Sequence, residues 1–303
     1  MDVRWEGIYP AMTTKFHEDG SLDLDMFEKN IRAQADAGIH GIVLAGSLGE
    51  ASTLTEEERN ILLSRTLEIT EEKIPVIMNV AEKRTDEAVR VARQAQKNGA
   101  HGLMMLPPIM YKADARETVE FFKAVANAID IPVMVYNNPV DYSIEVTIDM
   151  LEELTECDNI QAIKESTRDL TNVTRLINRF GDRIKILCGV DTIAFEAMVM
   201  GAVGWVAGLV CAFPRETVVI YELIRAGRIE EARNLFRWFL PLLELDINPK
   251  LVQNIKLAEV ATGIGTEHVR PPRLPLIGEE RRHVLDVINS ALKSRPVVSD
   301  VSI

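Results

Sequence analysis

The sequence predicts an α/β protein, and within that class a (β/α)8 TIM barrel with a C-terminal helical appendage. Two observations predict it. Short apolar runs alternate with amphipathic stretches along the first three quarters of the chain, at a spacing of roughly 18 to 34 residues that leaves room for one helix between runs. Several runs are nearly continuous in Ile, Val, Leu and Met instead of alternating with polar residues, the pattern of strands buried on both faces. The length of 303 residues agrees, since one such barrel takes roughly 250 and leaves an appendage. A doubly wound open sheet is the rival, but no G-x-G-x-x-G follows the first run.

In chain order the runs are Gly7 to Ala11, Gly41 to Ala45, Pro75 to Val80, Gly102 to Leu106, Pro132 to Tyr136, Ile160 to Lys164, Lys185 to Cys188 and Gly204 to Ala207. Between them, Glu56 to Thr70 has a charged first turn and then Ile61, Leu62, Leu63 and Leu67, and Asp86 to Asn98 stops at an Asn98-Gly99 helix C-cap. Ala37-Gly38-Ile39-His40-Gly41 and Asn98-Gly99-Ala100-His101-Gly102 mark one helix-to-strand corner twice. Ile-Pro-Val, at Ile74 and Ile131, opens a strand each time. Past about residue 225 the strand pattern ends. Ile229 to Leu243, Pro249 to Thr262 and Glu279 to Lys293 read as helices, so the expected division is a barrel over 1–225 and a helical region over 226–303. Arg295 to Ile303 holds no core pattern and is expected to be loose.

Composition excludes several function classes. Forty-six acids against 34 bases give a net charge of −12, which disfavours binding to nucleic acid or to an anionic membrane. Cys157, Cys188 and Cys211 are odd in number and far apart, with no C-x-x-C pair. That argues against a disulfide framework or zinc site and fits a reducing cytoplasm. The N-terminus is charged where an export signal would be apolar. Ala197 to Pro214 carries no charge, close to the shortest membrane span. Gly201, Gly204 and Gly208 interrupt it, and a helix end, a turn and a buried strand account for it better.

In a barrel of this kind chemistry sits where strands end and loops begin. Lys164 ends the sixth run. In the barrel mouth it would lose hydration, which disfavours the ammonium and frees a nucleophilic amine; position alone equally allows a rim lysine paired with a carboxylate. Tyr136 ends the fifth run, one strand away at about 4.8 Å. Taken alone it reads as a core tyrosine, but beside Lys164 its phenol is within hydrogen-bonding range of a Schiff-base nitrogen and can relay protons. Ala45-Gly46-Ser47-Leu48-Gly49-Glu50 presents backbone N–H groups and the Ser47 hydroxyl to a carboxylate, a weak signal by itself. The scattered histidines suggest no metal site, and nothing in the sequence requires a cofactor.

Gly46-Ser47-Leu48-Gly49-Glu50, Tyr136-Asn137-Asn138-Pro139 and Ile163-Lys164-Glu165-Ser166 resemble the motifs of the class I lyase family of dihydrodipicolinate synthase and N-acetylneuraminate lyase. The likeness continues through Cys188-Gly189-Val190-Asp191, Gly204-Trp205-Val206 and Arg270-Pro271-Pro272-Arg273-Leu274. It implies a barrel, a homotetramer built as a dimer of dimers, a Schiff base between Lys164 and a 2-oxo acid, and a phenolic proton relay at Tyr136. Substrate binding is implied at Ser47, Leu48 and Val206, with a small-molecule substrate as the partner.

Departures from the pattern narrow the activity. Leu48 stands where the family commonly has a second hydroxyl residue, Met110 where the synthases lend a tyrosine to a neighbouring subunit (Tyr111 is adjacent), and Asp141 where they use an arginine for a second substrate's carboxylate. A carboxylate at Asp141 would repel another by about 1 kcal/mol or more, which argues against lysine-pathway synthesis. Within the family, the segments Trp5 to Thr14, Phe213-Pro214-Arg215-Glu216 and Trp238-Phe239-Leu240-Pro241-Leu242-Leu243 resemble those of the 1-pyrroline-4-hydroxy-2-carboxylate deaminases of bacterial 4-hydroxyproline breakdown. The expected products are 2,5-dioxopentanoate and ammonia. The alternatives are an aldolase or dehydratase of a sugar-derived 2-oxo acid, and a catalytically silent keto-acid-binding barrel.

Overall fold

A computed structural model describes residues 2–299 and 301. Its strands are β1 Gly7–Pro10, β2 Ile42–Leu44, β3 Val76–Val80, β4 Gly102–Met105, β5 Val133–Asn137, β6 Ile160–Glu165, β7 Lys185–Cys188 and β8 Gly204–Ala207. The helices between them are α1 Leu24–Asp36, α2 Glu56–Thr70, α3 Thr85–Lys97, α4 Ala115–Ala126, α5 Pro139–Tyr142, α6 Ile148–Leu154, α7 Leu170–Phe180 and α8 Ala194–Val199. After β8 come α9 Pro214–Arg225, α10 Ile229–Leu243, α11 Leu251–Thr262 and α12 Gly278–Lys293.

All ladders are parallel, in the order β1-β8-β7-β6-β5-β4-β3-β2. The remaining seam, β1 to β2, closes through a parallel bridge between Ala11 and Val43. The Met12 N–H donates to Val43 O and the His40 N–H to Ile8 O, each at 2.9 Å. The (β/α)8 barrel expected from the sequence is therefore the observed fold. Nearly every strand residue is buried, which explains the unbroken apolar runs: one face looks into the lumen and the other lies under helices. The run at Gly41 to Ala45 yields a shorter strand because Ala45 turns to φ 53 and starts the following loop.

The repeated His corner has a structural reason. His40 Nδ1 accepts the Ile8 N–H at 3.1 Å while the His40 N–H donates back to Ile8 O. His101 does the same with Val76, at 3.0 and 2.9 Å. Each histidine thus satisfies both backbone groups at the start of the neighbouring strand, the N–H through its imidazole and the carbonyl through its own N–H, where the ladder has not yet begun. At that same end Trp5 crosses the barrel floor, donating to Gln161 Oε1 at 3.2 Å at the start of β6 and lying against Gly102 at the start of β4.

The uncharged stretch from Ala197 to Pro214 resolves into the end of α8, a turn, β8 and the Pro-initiated start of α9. No helix among the described residues is long and apolar enough to cross a membrane. One expectation needs correcting. The C-terminal tail is not loose where it is described: Arg295 pairs with Glu216 at 2.5 Å and lies over Phe213, and Val298 and Val301 pack on the core. The apolar valines are too widely spaced to register as a pattern, but the groove between α9 and α10 receives them. Residues 300, 302 and 303 of that segment lie outside the described residues.

Candidate active site

At the C-terminal end of β6 the strand alternation decides where each side chain goes. Glu165 turns outward, where its carboxylate accepts from Asn137 Nδ2 at 3.2 Å, Asn172 Nδ2 at 2.9 Å and the Thr167 N–H at 2.8 Å. Lys164, one residue earlier, therefore turns into the lumen. It lines a cavity of about 230 Å³ in the barrel mouth. Only 7% of Lys164 is exposed, and burial holds its amine below the ordinary lysine range although Tyr142, Asp246 and Asp191 pull the other way. Gly189, just beyond β7, makes the room: a Cβ there would lie 2.7 Å from Lys164 Cε and 2.1 Å from Ser166 Oγ.

Tyr136 and Lys164 are direct register partners on β5 and β6. The contact differs from the expected phenol-to-amine hydrogen bond. Lys164 Nζ sits over the Tyr136 ring, 4.1 Å from its centre, and the Tyr136 hydroxyl accepts from Asn138 Nδ2 at 3.1 Å. Adjacent strands place backbones side by side, so a long lysine leaning across reaches the neighbour's ring face before its hydroxyl. Burial pushes the Tyr136 phenol up to about 12.

A second phenol, Tyr142 at the end of α5, packs edge-on to Tyr136 with centroids 5.9 Å apart. Its hydroxyl shares a short hydrogen bond with Ser47 Oγ. Asn138 caps α5, accepting the Asp141 N–H at 3.2 Å, and donates to Asp141 Oδ2 at 2.7 Å. One asparagine thus ties the Tyr136 hydroxyl to the residue standing in place of the expected arginine.

Ser47 and Leu48 form the turn after β2. The turn closes through the Glu50 N–H to Ser47 O and the Ala51 N–H to Gly46 O, and neither bond uses the N–H groups of Ser47 or Leu48. Glu50 has a left-handed φ of 56, a conformation costing of order 1–3 kcal/mol. Its buried carboxylate is held from below by Lys256 Nζ at 2.6 Å and the Arg270 N–H at 3.1 Å. Ser47, Leu48, Tyr136, Lys164 and Val206 all border the one cavity. Met110 and Tyr111 are more than half exposed; Tyr111 edges a shallow depression beside Asp141 and Tyr142, outside the Lys164 cavity.

The sequence reading missed Tyr142, Asn138, Arg168, Asp191 and Asp246, which also line the cavity. Asp191 accepts Trp205 Nε1–H at 2.8 Å, the Gly208 N–H at 3.0 Å and the Leu209 N–H at 2.8 Å. Asp246, from the loop between α10 and α11, lies against Gly208, where an added Cβ would come within 2.4 Å of its Oδ1. Burial and the Asp191 charge push Asp246 well above the ordinary carboxylate range. Asp191 belongs to the Cys188-Gly189-Val190-Asp191 segment, and Tyr142 lies six residues beyond Tyr136, at the end of the short helix that follows β5. No signal pointed to Asp246, because its segment reads as remote from the barrel. Among the described residues no cluster of His, Cys, Asp or Glu is arranged to hold a metal ion.

Comparison with known proteins now bears on this geometry. The model of the dihydrodipicolinate synthetase family matches residues 4–291. The chain belongs to that family. Its relatives include 4-hydroxy-tetrahydrodipicolinate synthases of Methanothrix thermoacetophila, 31% identical over 94% of this chain and 96% of that one, and of Exiguobacterium sibiricum, 31% identical over 94% and 98%. The Bacillus anthracis dihydrodipicolinate synthase structure superposes with a TM-score of 0.91 at 27% identity, covering 95% of this chain and 99% of that one. The Aquifex aeolicus enzyme gives 0.89 at 27%, over 94% and 97%. The dihydrodipicolinate synthetase family is one of class I lyases that work through a lysine Schiff base.

Proposed function

We propose that the protein is a Schiff-base deaminase that converts 1-pyrroline-4-hydroxy-2-carboxylate to 2,5-dioxopentanoate and ammonia in 4-hydroxyproline breakdown. The supporting observation is the charge of the cavity beyond Lys164. Asp141, Asp191 and Asp246 line it with one guanidinium, Arg168, and the Lys164 amine. A wall rich in carboxyls receives hydroxyl and amine hydrogens and disfavours a second substrate carboxylate. The hydroxypyrroline has one carboxylate, one hydroxyl and one nitrogen. A cavity of about 230 Å³, below the roughly 300–1,000 Å³ of larger ligand sites, also suits a five-carbon ring better than a long sugar acid.

In this reading the substrate carboxylate rests on the Ser47–Leu48 turn, with Val206 beneath the ring. The Lys164 amine adds to C2, and collapse of the aminal opens the ring, leaving an enzyme imine and a free amine on C5. Loss of a C3 proton gives an enamine that expels the C4 hydroxyl. Tautomerisation forms an imine at C5, where water releases ammonia, and hydrolysis at C2 frees the dioxo acid. Tyr136 and the Tyr142–Ser47 pair supply and return protons at C2. A homotetramer in the cytoplasm belongs to the same proposal; light scattering would test the assembly.

A second reading rests on Arg168 and on the synthase relatives. An arginine at the mouth could hold the carboxylate of an aldehyde that condenses with pyruvate, making the protein an aldolase. A panel of hydroxypyrroline, deoxy sugar acids, and pyruvate with a carboxylate-bearing aldehyde separates the readings. Ammonia release from hydroxypyrroline alone supports the deaminase; condensation without ammonia release overturns it. Lys164→Ala should abolish turnover and borohydride trapping of a 2-oxo acid while leaving the circular dichroism unchanged.

A further inference from the structure

Each acidic group at the cavity differs in how it is held. Asp191 receives three donors, two of them backbone N–H groups at the end of β8, and is fully enclosed. Such a carboxylate is fixed in direction, and its three donors favour the charged form against the burial that raises it above the ordinary carboxylate range. Asp141 is exposed and takes its hydrogen bond from Asn138. Asp246 differs from both. It comes from the α10–α11 loop, lies against Gly208 beside Asp191, and keeps part of its surface toward the cavity. Lys164, Asp191, Asp141 and Arg168 are the charged groups around it. Two neighbouring carboxyls with unequal donors share protons unequally: burial raises both, but Asp191 has three donors to favour its charge and Asp246 is raised well above the ordinary range, so a shared proton favours Asp246.

We propose that Asp246 is the acid–base group of the elimination, taking the proton from the carbon next to the Lys164 imine and delivering it to the departing hydroxyl. The inference rests on the Schiff-base reading above. Ring opening takes up one proton at the departing ring nitrogen; Asp246 releases one as this happens, so the proton count is unchanged, and the positive charge left on the Lys164 imine holds Asp246 as the carboxylate. That carboxylate removes the C3 proton. The C3–H electron pair forms the C2=C3 bond of the enamine, and the imine nitrogen takes up the C2=N pair. The nitrogen pair then re-forms C2=N, C2=C3 moves to C3=C4, and the C4–O bond breaks. Asp246 returns its proton to that oxygen, so water leaves and the carboxylate is regenerated. Oxidation state and charge balance without any co-reactant. Among the cavity carboxyls Asp246 borders the Lys164 cavity, acts on the Lys164 charge, and lacks the backbone donors that favour the charged form of Asp191.

The test uses the full-length protein and pyruvate, which forms the same imine but has no hydroxyl to lose. Borohydride trapping followed by intact mass reads imine formation. Exchange of the pyruvate methyl protons in D2O, followed by NMR, reads proton removal at C3. Asp246→Asn should trap pyruvate as the native protein does, yet exchange its methyl protons about 100-fold more slowly. Ammonia release from hydroxypyrroline should fall in the same proportion. Asp246→Ala should behave likewise and regain exchange when formate is added, a rescue that a purely structural role would not show. Exchange within threefold of the native rate in either variant, or a deficit in Asp246→Ala that formate leaves unrepaired, overturns the role of Asp246. Failure of the native protein itself to trap pyruvate overturns the imine reading instead.

Discussion

At the scale of single residues the site depends on one buried amine and the space cleared for it. Lys164 loses hydration in the barrel mouth, and that loss outweighs the pull of two carboxyls and a phenol. The rate of imine trapping should therefore rise with pH on a limb lying below the ordinary lysine range; a limb at the usual lysine value would mean the amine is hydrated. Gly189 is required for the same reason. Gly189→Ala would drive a methyl group to within 2.7 Å of the Lys164 chain, and a displacement of about 1 Å at the nucleophile costs roughly 100-fold. Turnover should fall by that order while thermal unfolding shifts little, which steady-state kinetics and calorimetry would check. Lys164 and Tyr136 were legible because a lysine and a tyrosine ending successive apolar runs must share the mouth. Their contact was not, because side-chain lean is set by packing: the amine rests on the ring face, and the hydroxyl belongs to Asn138.

Elements were legible where periodicity and punctuation agree. The Glu56 to Thr70 helix is found with those bounds, begun by a capping box between Thr55 and Glu58. The Ile229 to Leu243 helix likewise matches. Strand ends shifted by a residue or so, since a ladder stops where the backbone turns. The two histidine corners belong at this scale. Burial holds both imidazoles below the ordinary histidine range, so each is neutral in the fold and accepts a strand N–H through Nδ1. The unfolded chain binds protons at higher pH than the native one. Their contribution is thus complete above the ordinary histidine value and is lost as pH falls through the depressed native value. Urea midpoints should decline across that acid window. His101→Ala should remove about 1–3 kcal/mol at neutral pH, by leaving the Val76 N–H unpaired, and should flatten the pH dependence.

On the scale of the whole molecule, the C-terminal helices are joined to the site. Lys256 on α11 reaches Glu50 beneath the Ser47–Leu48 turn, both side chains wholly buried. Lys15 pairs with Glu259 nearby, equally enclosed, and Thr13 donates to Glu259 at 2.6 Å. Removing one member of a buried pair leaves an uncompensated charge and costs about 3–5 kcal/mol. Lys256→Met should lower stability by that much in chemical denaturation and also raise KM, because the freed Glu50 no longer holds the carboxylate turn. The exposed pair between Arg282 and Glu279 offers a control: Arg282→Ala should change stability by less than about 1 kcal/mol. Equal losses from the two variants would show that burial of the Lys256 pair has no special weight.

Local chemistry along the chain was enough to specify the barrel, because alternating strand and helix patterns leave few ways to cover both faces of a parallel sheet. It was enough, too, to name the lysine and tyrosine, since strand ends converge at one rim. Folding in three dimensions decided the rest of the cavity. Asp246 lies 82 positions from Lys164 in the numbering, and no periodicity relates a loop between two outer helices to a strand end. Only the docking of α10 and α11 over the mouth brings that carboxyl to the cavity that Lys164 lines, and α11 is attached by buried charges whose partners lie more than two hundred residues away.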